Sequence, residues 1–258
     1  MSNIISLIRN KIKPISLSQF NLLLAIWLGV VLNFAFFQKI QSLTPYQGPK
    51  VYLFLIATVL VIVAAYNFIF QLIQWKWNAK IFAYLLIFIG GFTAYFVNSL
   101  GVVISPEQVQ NMMQTDAREV RGLLSLRFVL WTLVFVICPL ILVALVRIKP
   151  EVFLPKVTKK LINSSISLLL VGGLLFLFYV DYAAIFREHR DLKGMISPQN
   201  TISATLSYYR KSKPVQNLPL VTYGEDAHLL QPAAKQNKPK LMVLVVGETA
   251  RAESFSLN

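Results

Sequence analysis

Long apolar runs separated by short cationic gaps dominate the first two thirds of this chain. Five of them reach the roughly 20 residues that a helix needs to cross a bilayer core of about 30 Å. They run from Phe20 to Phe37, Val51 to Gln74, Ile81 to Val103, Phe128 to Val146 and Leu161 to Val180, the last closed by Asp181. Helix is the expected conformation, because lipid offers no partner to backbone N–H and C=O groups and each segment must satisfy its own. No heptad is sustained and no internal repeat is visible. Arg9, Lys11 and Lys13 precede the first run as they would in a signal peptide, but the run is too long and is followed by Gln38-Lys39-Ile40-Gln41, not by a small-residue cleavage site. It reads as an anchor.

The pattern changes in two places. Between the third and fourth runs, Ser105 can cap a helix, Pro106 suits its first turn and Gln108 completes a capping box. Val109, Met112, Met113, Val120, Leu123 and Leu124 then recur at helical spacing opposite Asn111, Gln114 and Arg118, which predicts one amphipathic helix over 105–122 lying on the membrane surface. After the fifth run, Ser197-Pro198 predicts the start of a second interfacial helix reaching Tyr209. Pro214, Pro219, Pro232 and Pro239 then mark a linker. The linker ends in the continuous apolar run Lys240 to Val246, which suits a parallel strand buried on both faces. The expected organisation is a five-helix transmembrane domain over 1–183, an interfacial helix and linker over 184–239, and the beginning of an α/β domain over 240–258. The fold class is therefore mainly α, a polytopic membrane protein.

Composition agrees with this reading. Hydrophobic residues make up 56% of the chain against 14% charged, far from the balance of a soluble domain. The net charge of +14 would suit a nucleic-acid partner only on the basic face of a folded domain, and here the cations flank apolar runs, so nucleic acid is excluded. Their distribution instead sets topology. Arg9, Lys11, Lys13, Lys76, Lys80, Arg147, Lys149, Lys156, Lys159 and Lys160 on one side outnumber Lys39, Lys50, Arg118, Arg121 and Arg127 on the other. By the positive-inside rule the amino terminus is cytoplasmic and everything after Val180 is outside, in the periplasm of a Gram-negative cell. Asn33, Asn67 and Asn98 fall inside the runs and are expected to bond to neighbouring helices. Cys138, the single cysteine, reads as a small packing residue. His228, near Glu225 and Asp226, matches no metal spacing.

Gly247-Glu248-Thr249 follows the terminal strand directly. Ligands bind beyond the carboxyl ends of strands in open α/β sheets, so Glu248 is placed either to hold a metal or to sit solvated in a glycine turn. The stretch Val245-Val246-Gly247-Glu248-Thr249-Ala250-Arg251-Ala252, with Phe255-Ser256-Leu257-Asn258 after it, closely resembles the opening of the catalytic domain in phosphoethanolamine transferases, including the lipid A-modifying enzymes of polymyxin resistance. That resemblance implies an alkaline-phosphatase-like domain, a Zn2+ cofactor with Glu248 among its ligands, and a nucleophilic threonine beyond Asn258. It argues against Thr249 as nucleophile, and a chain with only one zinc ligand and no nucleophile is expected to be inactive by itself.

A second similarity lies in the predicted helix 105–122. Asn111, Thr115 and Glu119, at i, i+4 and i+8, match the asparagine, threonine and glutamate with which the family holds the ethanolamine-phosphate head of its donor lipid. Without the resemblance they read as a solvated polar flank. The resemblance implies phosphatidylethanolamine as donor, lipid A as acceptor, a bacterial inner-membrane location and cationic-peptide resistance as the outcome. Core sugar and periplasmic glucans are other acceptors in the broader family. A phosphoglycerol transferase of the lipoteichoic-acid type, or a transporter subunit without chemistry, are the alternative readings of the same architecture.

Overall fold

Ser16 starts the first helix: its hydroxyl accepts from the Gln19 N–H at 3.2 Å while the Gln19 side chain accepts from the Ser16 N–H at 2.9 Å. In the computed structural model, which describes residues 13–116, 121–150 and 152–212, this helix, α1 (Leu17–Val31), widens into a π-helical turn over Trp27–Val31 and then breaks. The chain resumes as α2 (Phe34–Leu43), bent by 58° from α1, then α3 (Pro49–Ile73), α4 (Ala79–Leu100), α5 (Pro106–Gln114) and α6 (Leu126–Leu145). The series ends with α7 (Phe153–Leu177), α8 (Tyr179–Glu188), a 3-10 segment over Arg190–Met195 and α9 (Gln199–Lys211). The chain divides into two compact units at Pro214, and the described residues belong to the first.

Helices α3, α4, α6 and α7 are each long and apolar enough to cross a membrane, and the pair α1 and α2, bent by 58°, passes the same test taken together, which gives four spans, or five with the pair counted as one. Many large apolar side chains face outward along them; Leu169 and Phe176 of α7 are more than 70% exposed, which in water would be a severe cost and in lipid is the normal state. Four of the five predicted runs thus fall on single long helices, and the first differs. The first is not a continuous helix from Phe20 to Phe37, because two asparagines stabilise a break within it.

Asn33 donates from Nδ2 to the carbonyls of Leu28 at 2.7 Å and Gly29 at 3.3 Å, closing the open end of α1. Asn98, on α4, donates to the Leu32 carbonyl at 2.9 Å and accepts the Ala35 N–H at 2.7 Å. Backbone groups freed by the break are thus paired with side-chain amides instead of being left bare in an apolar bundle. Asn67 bonds as expected to a neighbour, donating to Ser167 Oγ at 2.9 Å, and with Gln71 and Ser18 it forms a polar seam joining α1, α3 and α7.

Other expectations are corrected by packing. Cys138 is exposed on the outward side of α6, because Pro139 and Val136 are the residues turned inward there. The fifth helix begins at Phe153, so Lys160 lies within it and is buried, its ammonium donating to the Gln74 carbonyl at 2.7 Å and covering the Trp75 ring at 4.0 Å. Helix α9 does begin beside Ser197-Pro198, but its entry is wedged into the bundle instead of lying across it: Ser197 and Asn200 are fully buried. Ser197 donates its N–H to Asn33 Oδ1 at 2.7 Å, and its carbonyl accepts from Asn33 at 3.0 Å and from the Tyr66 hydroxyl at 3.0 Å. Gly90 makes room for Pro198; a Cβ there would meet it at 3.3 Å. Gly90 lies about 16 Å along α4 from Ala79 at 1.5 Å per residue, so irregular backbone reaches deep into the bundle, where only protein partners can satisfy it. The strand read over 240–246 and the linker after 212 lie outside the described residues.

The Asn98 amide makes a direct prediction. Asn98→Ala leaves the Leu32 carbonyl and the Ala35 N–H unpaired at the break, and should destabilise the bundle by about 2 kcal/mol. Reversible denaturation in mixed micelles, with Asn163→Ala, half-buried and bonded within its own helix, as control, measures it.

Candidate functional site

At the end of the bundle where α4 finishes, Gly101 takes a left-handed conformation (φ 67°) that ends the helix and turns the chain toward α5. Ser105 caps α5, its hydroxyl accepting the Gln108 N–H at 3.2 Å, with Pro106 in the first turn. Val109 is the inward residue, packed with Val97 and Ile104 of the preceding segment and Ala204 of α9. The Ile104 N–H donates to the Gly194 carbonyl at 3.0 Å, and Val103 and Ile104 crowd Gly194 so closely that a side chain there would collide with them. At the rim, Lys211 of α9 pairs with Glu107 of α5 at 3.1 Å. The Glu107 carboxyl is held well below the ordinary carboxylate value of 4.5, at about 2, first by its own backbone N–H, then by the Ser105 hydroxyl and Lys211. Helices α5 and α9 are thus one clamped unit.

The helix predicted over 105–122 is shorter than expected. It stops at Gln114, and Thr115 has an extended backbone (φ −63°, ψ 130°). The stop falls at Thr115-Asp116, two residues whose short polar side chains compete for backbone partners and disfavour helix interiors. Thr115 shows the competition directly, its hydroxyl donating to the Asn111 carbonyl at 2.8 Å. Asn111, exposed, and Thr115, half-buried, therefore remain one turn apart, while Glu119 lies outside the described residues.

Thr115 borders a groove of about 360 Å³. Its walls are Phe96 and Leu100 of α4, Met112 of α5, Leu123 and Leu124 of the segment before α6, and Phe128 of α6, with Gln108 and Thr115 the polar positions. Met112, Leu123 and Leu124 are all exposed. The predicted apolar face is consequently divided: Val109 is buried toward α9, and Met112 turns to the groove. An apolar trough with hydrogen-bonding groups at its edge, at the boundary of a membrane bundle, has the chemistry of a seat for an amphiphile.

Glu248 also lies outside the described residues. Among the described residues no three His, Cys, Asp or Glu side chains converge. Zinc takes about four ligands, so these residues do not form a zinc centre. Sequence reasoning missed the Asn33–Ser197 clamp; the signal for it was a lone asparagine inside an apolar run, which cannot name its partner.

On the Glu107–Lys211 pair the sign of the pH effect is defined. A carboxyl whose value is lowered on folding contributes stability above its unfolded value, and that contribution fades as pH falls from about 4.5 toward 2. The difference in amide-exchange protection of α5 between the natural protein and Glu107→Gln should be present at pH 6, shrink across that window and vanish near pH 2.

Comparison with known proteins follows the same lines. Residues 62–212 match the family described as phosphoethanolamine transferase EptA/EptB. The chain is 32% identical over 238 residues to phosphoethanolamine transferase EptA of Escherichia coli (strain K12), covering 92% of this chain and 43% of that protein. It is 30% identical over 242 residues to the phosphatidylethanolamine transferase Mcr-1 of Escherichia coli, covering 91% and 43%. Among solved structures, the integral membrane protein lipooligosaccharide phosphoethanolamine transferase A from Neisseria meningitidis superposes with a TM-score of 0.71 at 27% identity, over 77% of this chain and 37% of that one. The chain thus spans less than half the length of the curated relatives it matches.

Proposed function

The chain belongs to the EptA/EptB family of phosphoethanolamine transferases, and from that membership we propose that it forms the membrane-embedded, donor-binding part of an enzyme that moves phosphoethanolamine from phosphatidylethanolamine to lipid A. The observation that carries the reading is the groove beside Thr115. A phospholipid donor needs an apolar seat for its acyl chains and polar groups for its head, and the groove offers both within one turn of Asn111. In this reading Thr115 and Asn111 hydrogen-bond the phosphate and ethanolamine, and Glu119 supplies the carboxylate that an ammonium group requires near a membrane. The amino terminus is cytoplasmic, the groove faces the periplasm, and the membrane is the bacterial inner membrane. Family membership supports this reading over a phosphoglycerol transferase or a transporter subunit.

The transfer itself belongs to the complete protein, with a threonine outside these 258 residues as nucleophile and Zn2+ as the metal. Glu248 supplies one of the ligands, and the rest come from outside this chain. When bound, zinc would stabilise the charge that develops at phosphorus. What this chain's described residues contribute is position: α5 is held by α9, so the head of the donor is presented at a fixed height above the bundle.

Glu119→Ala in the complete enzyme should lower transfer tenfold or more, the loss expected when a charge-assisted hydrogen bond of about 1.5–3 kcal/mol is removed. Thr115→Val should cost less. Mass spectrometry of lipid A for the added phosphoethanolamine, with zinc content measured alongside, is the test. Unchanged transfer in both variants would reduce the trio to a solvated flank.

A further inference from the structure

Where α9 emerges from the bundle, an apolar recess separate from the Thr115 groove lies between it and α3 and α4. The recess holds about 320 Å³, with walls from Ile69 and Ile73 of α3, Phe82 and Leu86 of α4, and Ile202 and Leu206 of α9. Two of its polar neighbours are turned to protein, the Tyr66 hydroxyl donating to the Ser197 carbonyl and the Ser203 hydroxyl to the Asn200 carbonyl, both at 3.0 Å. Along α3 it extends from Tyr66 to the buried Gln74, about 12 Å at 1.5 Å per residue. Ile69, Ile73, Ile202 and Leu206 are all exposed, so the recess opens sideways, toward lipid.

Its shape is built into the fold. Asn33 and Tyr66 hold Ser197, Gly90 admits Pro198, and the Thr201 and Thr93 hydroxyls meet at 2.7 Å, so α9 is fixed against α4 along one side. Asn200, Thr201 and Ala204 take that side, which leaves Ile202, Ser203 and Leu206 to the recess at helical spacing. Arg210 follows Leu206 by one turn on the same stripe. It is exposed and makes no ion pair among the described residues, whereas its neighbour Lys211 is taken by Glu107. Tyr209, 58% exposed, stands beside it as aromatic side chains do at a membrane interface. An apolar recess that runs up to an unpaired guanidinium matches a lipid with phosphate in its head, because the planar fork of Arg fits phosphate oxygens.

We propose that this recess seats an acyl chain of the phosphorylated lipid that accepts the transferred group, with its phosphate monoester at Arg210. The proposal rests on the reading of the Thr115 groove as the seat of the donor. Transfer between two lipids needs two seats, and α5 and α9 form one clamped unit, so heads at Thr115 and at Arg210 are carried by the same rigid piece. Charge divides the two seats. A phosphate monoester carries about −1.5 to −2 at neutral pH, which suits an unpaired cation. The donor head bears an ammonium group, which suits the neutral Asn111 and Thr115 of the groove and gains nothing from Arg210.

Native mass spectrometry of the purified chain, released from micelles doped with lipid A, phosphatidylglycerol or phosphatidylethanolamine, tests it. One lipid A should be retained roughly fivefold better than phosphatidylglycerol. Leu206→Trp, which fills the recess from an exposed position, should abolish that retention, and Arg210→Gln should lower it by roughly fivefold. Lys193→Gln, at an exposed cation outside the recess, should leave it unchanged. Retention kept in Leu206→Trp, or lowered equally by Arg210→Gln and Lys193→Gln, overturns the site, and equal retention of phosphatidylglycerol overturns its assignment to the acceptor. Met112→Trp fills the other groove and reads the donor assignment separately: phosphatidylethanolamine kept in that variant defeats the donor reading, whatever lipid A does. Benzoylphenylalanine in place of Ile202 decides the matter even if Leu206→Trp fails to fold. Lipid A should crosslink there roughly fivefold more than with the same group in place of Ile166, exposed on α7, and equal crosslinking rejects the proposal.

Discussion

Everything at the groove end depends on how the bundle tolerates a broken helix. A span interrupted at Leu32 and Asn33 exposes backbone donors and acceptors where lipid and apolar side chains offer nothing in return. Two side-chain amides resolve this. Asn98 stands in for the missing helical partners of Leu32 and Ala35, and Asn33 closes the end of α1 while binding both backbone groups of Ser197. Because one residue does both, the break in α1 and the inward course of residues 197–200 are a single feature. Without the break, Asn33 would have no free edge to offer; without Ser197, the amide would be buried and half-satisfied.

That feature fixes the groove end at one remove. Ser197 leads into α9, α9 packs on α5 through Ala204 and Val109, and the Lys211–Glu107 pair closes the outer edge. Gly194 is pinned to Ile104 on the way. A short helix at a membrane boundary would be marginal alone. Here it is held from below by the segment that enters the bundle, so the position of Thr115 at the groove follows from interactions well inside it.

The two ends of the bundle differ in what they ask of charge. At the groove end, acids and bases are interspersed: Glu107 pairs with Lys211, and Asp181 accepts from the Tyr46 hydroxyl at 2.8 Å, a carboxylate that also raises the affinity of the phenol for its proton. At the other end, cations cluster on ordered backbone.

Much of this could be read from residue order. Long apolar runs dictate membrane-spanning helices because lipid admits few other ways to satisfy a backbone, and Ser105-Pro106 marks a helix start because capping is local. The resemblance of Asn111, Thr115 and Glu119 to the asparagine, threonine and glutamate of the family could also be seen in residue order. Tertiary structure decided the rest: that the first span breaks, that α5 ends before Thr115, that Cys138 faces outward, and that residues 197–200 enter the bundle. Each depends on a partner distant in sequence, such as Asn98 for Ala35 or Ser197 for Asn33. Periodicity reports which face of a helix is apolar, whereas a buried amide is placed by whichever distant backbone group needs it, and only folding brings the two together.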